Sequence, residues 1–354
     1  MRFLAALMVA LIHIRQRIWQ DNGLAELAFI AVDFFFMLTG FFTLREVSSR
    51  EKAGIAVEAH DAVLYSWKKA KGIFGLYIFA QAAMFVIRTA EKGAFVLSDV
   101  LKELFHFKWE FLMLHMAGFN QAPAFNTDYL LSPAWYISSL LLALVPFYFL
   151  CRRCGKTFSG VIAPICMAAI YAYIIQNYGT MDVGNQFVAG VMVGNLRAFA
   201  GLCAGAFAHH LNGYYIKLPD LKRGKAFIRV MDVASWIMAV LLFVFPKDVI
   251  PDPDMLFWMI PFAVILLHGV NDFGPVSRWL NSHGCAVWAW LGRLSPYVYL
   301  LHLQAILLLR RLIVTDSSIA GSMLVLAAAV ACCALIMVIL DKIRKWRTPV
   351  RKGD

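Results

Sequence analysis

Long apolar runs alternate with short, mostly basic polar stretches along the chain. The runs lie near residues 2–19, 24–44, 72–88, 133–151, 158–177, 188–209, 231–246, 255–270, 294–312 and 319–340. A spanning helix needs about 20 apolar residues, and several runs are shorter, so we expect those helices to be tilted or sheltered by neighbours. The pattern predicts an all-α, polytopic membrane bundle of about ten helices. We expect a single domain over residues 1–343 and a short basic tail over 344–354.

The segment over residues 95–118 breaks this pattern, because charged and apolar residues recur in it at helical spacing. Such spacing is typical of an amphipathic helix on the outer membrane surface or of a partly re-entrant helix. The loop over 120–132 follows, and we expect it to complete an outer cap.

Composition excludes a soluble domain, because 61% of the residues are hydrophobic and only 16% are charged, where a soluble protein has roughly 25% charged residues. The formal net charge is +11. The basic residues lie in loops between apolar runs, which indicates membrane topology rather than nucleic-acid binding. The cysteines form no zinc-like double pair, and the single CxxC, Cys151 to Cys154, favours small buried thiols. We therefore expect no metal site.

The positions of Lys and Arg predict the orientation. With a cytoplasmic N-terminus, inner loops carry more of these residues than outer loops by roughly five to two. Both termini are therefore predicted to be cytoplasmic, with His13 toward the outer half of the membrane. Only Met1 precedes Arg2 in the first run, so we expect either a natural start upstream or a shortened first helix.

The first run carries two groups that hydrocarbon cannot solvate, Arg2 and His13. Eleven helical steps return to within roughly 20° of the starting face and separate the two residues by roughly 16 Å. A cation and an imidazole on one face require a polar bundle interior. A histidine near a helix end is commonly an interfacial or hydrogen-bonded residue, and catalysis is the alternative.

The second run contains Asp33, whose carboxylate is costly in a membrane unless it is paired. Asp33 could orient His13 or stabilise its protonated form, or it could form a structural ion pair or a helix-packing hydrogen bond. Thr39 and Gly40 are typical of close helix packing. Arg45 either follows the charge rule or contacts an anionic cofactor.

Two later runs carry further polar groups. Arg197 lies among glycines, and its expected ligand is a phosphate or carboxylate, with Asp33 as a possible structural partner. In the ninth run Ser295 can cap the helix. His302 shares a face with Ser295, and Tyr299 lies one turn before His302. On spacing alone, His302 is expected to make a bundle-interior hydrogen bond.

Together these stretches resemble the family-3 membrane acyltransferases, which include O-antigen, exopolysaccharide, peptidoglycan and nodulation-factor O-acetylases. The resemblance rests on RFLAALMVALIH at 2–13, AVDFFFMLTGFF at 31–42, LRAFAGLCAGAF at 196–207 and LGRLSPYVYLLH at 291–302. The family's usual Ser-Gly-Phe is Thr-Gly-Phe here, and Leu140 stands where the O-antigen branch has a glutamate.

The resemblance implies an enzyme of the bacterial inner membrane that moves an acyl group, commonly acetyl, from cytoplasmic acyl-CoA to a hydroxyl of a cell-surface or lipid-linked glycan. Carried over by motif, His13 and Arg2 are the essential pair. The resemblance then implies His13, Arg2 and Asp33 as catalytic residues, and Arg45 and Arg197 as donor-binding residues. The residues that contact the substrate or support the structure are Thr39, Gly40, Ser295, Tyr299 and His302.

Two other functions fit the same intramembrane groups. A transporter or flippase of an acylated or anionic lipid-linked molecule would use them as a ligand site or proton relay. A catalytically silent assembly protein would tolerate replacement of His13 without chemical consequence.

Overall fold

The protein is described by a computed structural model. The structure describes residues 1–18, 25–54, 58, 60–93, 96–113, 129–184, 186–188, 191–242, 257–283, 285–313 and 319–347.

Helices account for almost all of the described chain. The α-helices are α1 (Arg2–Ile18), α2 (Ala31–Lys52), α3 (His60–Lys92), α4 (Leu97–His106), α5 (Lys108–Phe111), α6 (Trp135–Thr157), α7 (Ala163–Tyr178), α8 (Val193–Tyr215), α9 (Gly224–Leu241), α10 (Met259–Asn271), α11 (Pro275–Ser282), α12 (Cys285–Ile313) and α13 (Ile319–Arg347). Short 3₁₀ turns cover Glu26–Ile30, Ser132–Ala134 and Leu218–Asp220, and a π turn over Phe158–Ile162 joins α6 to α7. Two short antiparallel strands, β1 (Phe187–Val188) and β2 (Val191–Met192), precede α8.

The helices confirm an all-α membrane bundle. Four segments of the described chain are long and apolar enough to cross a membrane by length and composition: Glu26–Lys52, His60–Lys92, Ser132–Tyr178 and Ala320–Ile343. The pair α10 and α11, bent by 51°, would make a fifth. The predicted count of about ten spans is therefore not confirmed, because helices such as α1, with 17 residues, are too short for this criterion.

Glycines bring α2 and α8 into direct backbone contact at the centre of the bundle. A Cβ atom at Gly40 would lie 2.1 Å from the carbonyl oxygen of Leu202, and one at Gly205 would lie 2.0 Å from that of Met37. Small residues allow this approach in a membrane, where packing rather than the hydrophobic effect holds helices together. Gly40 therefore has the packing position that its sequence context indicates.

Helices α1 and α12 run in the same direction side by side. The Ser295 hydroxyl donates to the Arg2 carbonyl oxygen at 3.0 Å, and further along His13 stacks on His302. This packing brings the first and ninth predicted runs together and determines the geometry of the candidate site.

The amphipathic segment forms α4 and α5, and no residue of α4 is buried. It is anchored by Glu110, which is 2% exposed and accepts hydrogen bonds from the backbone N–H groups of Leu130 and Leu131 at 2.6 and 3.1 Å. Burial raises the pKa of Glu110 to about 7, although these two hydrogen bonds act in the opposite direction. Residues 114–118 and 120–128 of the predicted outer cap lie outside the described residues.

Candidate active site

Two histidines from different helices form the centre of the candidate site. The rings of His13 on α1 and His302 on α12 stack with centroids 5.1 Å apart and an angle of 26° between their planes. The Nδ1 of His302 bonds the Val298 carbonyl, 2.9 Å away, so this nitrogen carries the proton. Its Nε2 has no hydrogen-bond partner among the described residues, although the side chain is 1% exposed. A buried imidazole with an unsatisfied lone pair is unusual and marks a candidate functional position.

The proton positions on His13 follow from its neighbour. Its Nδ1 lies 3.1 Å from Gln16 Oε1, which can only accept a hydrogen bond. Nδ1 therefore donates in the neutral imidazole, and Nε2 carries the lone pair that a general base requires. Gln16 lies three residues after His13, so the same helix turn supplies both groups.

A cavity of about 290 Å³ opens beside His13. Its polar lining consists of side chains from α1, α6, α8, α12, the turn before α6 and the segment before β1. The titratable or amide-bearing members are His13, Gln16, Asp182, Gln186, Arg197 and Tyr299. The sequence predicts three of these six as functional, namely His13, Arg197 and Tyr299. A polar cavity inside an apolar bundle is where a hydrophilic reactant can be held.

Asp33 pairs with Arg197. Arg197 Nη2 donates to Asp33 Oδ2 at 2.5 Å and Nε donates to both carboxylate oxygens at 3.1 Å, with each side chain 1% exposed. Tyr171 adds a hydrogen bond to Asp33 Oδ1 at 3.0 Å, and Phe29 accepts one from Arg197 Nη2. These contacts account for Asp33 as a structural ion pair, so the alternative in which it orients His13 is not needed to explain its burial.

The remaining late-helix residues support the cavity wall. Tyr299 is buried and its hydroxyl donates to the Pro133 carbonyl at 2.8 Å, which ties α12 to the turn before α6. Its ring packs against Tyr136, 5.3 Å between centroids. Thr39 is half-buried and bonds the Phe35 carbonyl of its own helix at 2.9 Å, so it does not reach the cavity through this contact.

Two of the predicted arginines lie away from this cavity: Arg2, predicted as catalytic, and Arg45, predicted to bind the donor, whereas Arg197, also predicted to bind the donor, lines it. Arg2 is exposed and lines a separate cavity of about 510 Å³ with Trp236, Trp288 and residues of α10 to α12. Arg45 is exposed near the C-terminal end of α2. The structure thus brings His13, Arg197, Tyr299 and His302 together, and it leaves Arg2 at the other end of α1.

Several residues of the site were not predicted from sequence. Trp135 faces the guanidinium of Arg197 at 5.6 Å and lines the same cavity. Its position directly after the Ser-Pro-Ala turn that precedes α6 is one sequence signal for it. Tyr171 and Asp182 carry no such signal, because each is an ordinary residue of an apolar or loop segment. Among the described residues, no group of three His, Cys, Asp or Glu side chains is arranged to hold a metal ion.

Comparison with known proteins now identifies the family. A family model described as an acyltransferase domain, of the family-3 acyltransferases, matches residues 1–339. No curated protein and no solved structure gives a significant match. The match covers the first, second, eighth and twelfth helices that build the site, and it does not favour the transporter alternative. The chain belongs to the family-3 acyltransferases and is a membrane acyltransferase.

Proposed function

We propose that the protein transfers an acyl group, expected to be acetyl, from cytoplasmic acyl-CoA to a hydroxyl of a cell-surface or lipid-linked glycan of the bacterial envelope. The observation that supports this most is the stacked pair of His13 and His302 beside a polar cavity that also contains Arg197. Acyl transfer to an alcohol requires a base and stabilisation of a tetrahedral oxyanion, and these residue types can supply both.

In the proposed reaction, Nε2 of His13 takes the proton of the acceptor hydroxyl. The alcohol oxygen attacks the thioester carbonyl carbon and a tetrahedral oxyanion forms. Its collapse breaks the C–S bond, and the imidazolium returns the proton to the leaving CoA sulfur. The products are the ester and free CoA, so protons and charges balance. An ordinary imidazole titrates near pH 6.5, which suits this role near neutral pH.

Arg197 is proposed to contact the acyl end of the donor. Its guanidinium is held by Asp33 and lines the cavity beside His13. A cation fixed in this way stabilises negative charge that develops on the thioester oxygen without first having to reorganise. Arg2 and Arg45, which lie away from this cavity, are proposed to bind the CoA phosphates at the cytoplasmic surface.

The test is an acyl-transfer assay in inverted membrane vesicles with radiolabelled acetyl-CoA, in which free CoA thiol is measured in parallel. His13→Ala is expected to lower transfer by about 10²- to 10⁴-fold. Arg2→Ala and Arg45→Ala are expected to raise the KM for acetyl-CoA, with exposed Arg153→Ala as the matched control.

Transfer without stoichiometric release of CoA would contradict the proposed donor. Equal rates for wild type and His13→Ala, at equal protein levels in the membrane, would contradict the proposed base.

A further inference from the structure

A second buried polar cluster lies on three helices away from the histidine cavity. His268 on α10 bonds Asp232 of α9 through Nδ1, 3.0 Å from Asp232 Oδ1, and bonds the Tyr215 hydroxyl of α8 through Nε2 at 2.6 Å. Asp232 and His268 are both fully buried. The three titratable side chains form a chain of hydrogen bonds, and two of them have no access to solvent. Burying such groups costs free energy, so their presence needs a physical explanation.

Each hydrogen bond of Asp232 brings a donor to one of its carboxylate oxygens. Its Oδ2 accepts backbone N–H groups of Val276 and Ser277 at 2.7 and 3.2 Å, at the N-terminus of α11, and its Oδ1 accepts the Ser277 hydroxyl at 2.8 Å. These donors and the helix dipole favour the carboxylate. Gly274 permits this approach, because a Cβ atom there would lie 2.4 Å from Asp232 Cγ.

The contacts of Asp232 also order the donors and acceptors in the rest of the cluster. Nδ1 of His268 donates to the carboxylate, and in the tautomer that has its proton on Nδ1 the Nε2 atom accepts a hydrogen bond from the Tyr215 hydroxyl. The phenol oxygen of Tyr215 then has a free lone-pair direction, and with an anion behind the imidazole it is a strengthened hydrogen-bond acceptor.

Tyr215 lies at one end of a cavity of about 730 Å³. Apart from the phenols of Tyr214 and Tyr215, every lining residue is apolar. The lining extends along α8 from Ala204 to Tyr215, about 16 Å at the helical rise. Its lining includes Ile260, which is 54% exposed, so the cavity reaches the surface of the bundle.

We propose that this cavity binds the hydrocarbon chain of a membrane lipid with a hydroxyl at its polar end, and that this hydroxyl donates a hydrogen bond to Tyr215. The absence of charged side chains from the described lining disfavours CoA, a sugar phosphate or a free glycan. An anionic head group would offer only hydrogen-bond acceptors to the Tyr215 oxygen, which is itself an acceptor. A lipid hydroxyl instead supplies the complementary donor. The binding does not depend on the proposed acyl transfer.

The experiment is photo-crosslinking of the purified full-length protein in nanodiscs with a diazirine-bearing hexadecanol, compared with its methyl ether and with the corresponding hexadecyl phosphate. The alcohol should label cavity peptides about 2- to 10-fold more than the ether, the difference that one hydrogen bond makes. Tyr215→Phe should remove this preference. Ala208→Trp, or Ala263→Phe if that variant is poorly folded, should lower labelling by both probes. Leu335→Trp, on an exposed apolar position of α13, is the matched control.

Three results would each overturn the proposal. Equal labelling by alcohol and ether in the wild type would contradict the proposed hydrogen bond. Unchanged labelling in the cavity-filling variants would contradict the proposed binding site. Stronger labelling by the phosphate than by the alcohol would contradict the assigned head group. The readout is binding, so loss of acyl transfer in a His13 variant leaves it unaffected.

Discussion

His302 is a residue whose observed contacts go beyond what its sequence context predicts. Spacing alone indicates an ordinary interior hydrogen bond, and its Nδ1 does make one with the Val298 carbonyl. The ring, however, also stacks on His13, a contact between residues 289 positions apart that no local pattern encodes. We therefore interpret His302 as a positioning residue for His13, because a stacked ring restricts the orientation of its neighbour.

His302→Ala is expected to lower kcat about 2- to 10-fold, with the KM for acetyl-CoA unchanged, because the stacking that orients His13 is worth about 0.5–1.5 kcal/mol. His302→Phe should restore most of the rate, since it keeps the ring. Steady-state kinetics on both variants check this, and a Phe variant as slow as the Ala variant would instead assign a chemical role to Nε2.

The Asp33–Arg197 pair makes a separate prediction about stability. Both side chains are 1% exposed, so Asp33→Asn leaves a buried guanidinium without its counter-charge. We expect a loss of about 3–5 kcal/mol, seen as a lower unfolding temperature in detergent. The double variant Asp33→Leu with Arg197→Met should be more stable than Asp33→Asn. Similar unfolding of the double and single variants would show that charge pairing is not what makes the site sensitive.

At the scale of elements, the contact of α2 with α8 holds Asp33 and Arg197 within hydrogen-bonding distance. Gly205 lets the α8 backbone touch that of α2, whereas Gly213 on the same helix faces open space. Gly205→Leu should destabilise the protein by at least about 1–3 kcal/mol through overpacking, and Gly213→Leu should have little effect. Thermal unfolding of the two variants provides the comparison. Equal effects would mean that helix propensity, not the contact, decides the outcome.

The amphipathic segment makes a prediction about pH. Burial raises the pKa of Glu110 from 4.5 to about 7, so folding favours its protonated form. Its contribution to stability is therefore fully present below pH 4.5 and is lost as pH rises through about 7, a change of up to about 3 kcal/mol. Glu110→Gln should flatten the pH dependence of the unfolding temperature between pH 5 and 8. Exposed Glu58→Gln is the control, and parallel curves for wild type and Glu110→Gln would contradict the assignment.

At the scale of the whole molecule, hydropathy predicts a helical bundle because each span must satisfy its backbone internally and present apolar side chains to lipid. Local periodicity likewise places Arg2 and His13 on one face of α1. Contacts between helices depend on packing that local sequence patterns do not predict. For this reason the sequence allows either His13 or Arg197 as the partner of Asp33. Tyr215, His268 and Asp232 were not predicted for the same reason, since each alone is an ordinary polar residue of a helix.

In the proposed function, CoA binding and acyl transfer use different parts of the bundle. Arg2 and Arg45 are exposed, whereas His13 and Arg197 share an interior cavity. This arrangement suits a donor that is bound from one surface and an acceptor that is reached from within the bundle. The helices that contribute to this site, from α1 to α12, all lie within residues 1–339, which the family model matches.

The most direct test of the central claim is mass spectrometry of the surface glycans from the native bacterium deleted for this gene and complemented with wild type, His13→Ala or His60→Ala. His60 is an exposed control histidine at the start of α3. At equal membrane levels, an acetyl-sized mass increment should be restored by wild type and His60→Ala and should be absent with His13→Ala. An increment that His13→Ala restores fully, or identical glycans in all strains, would contradict the account.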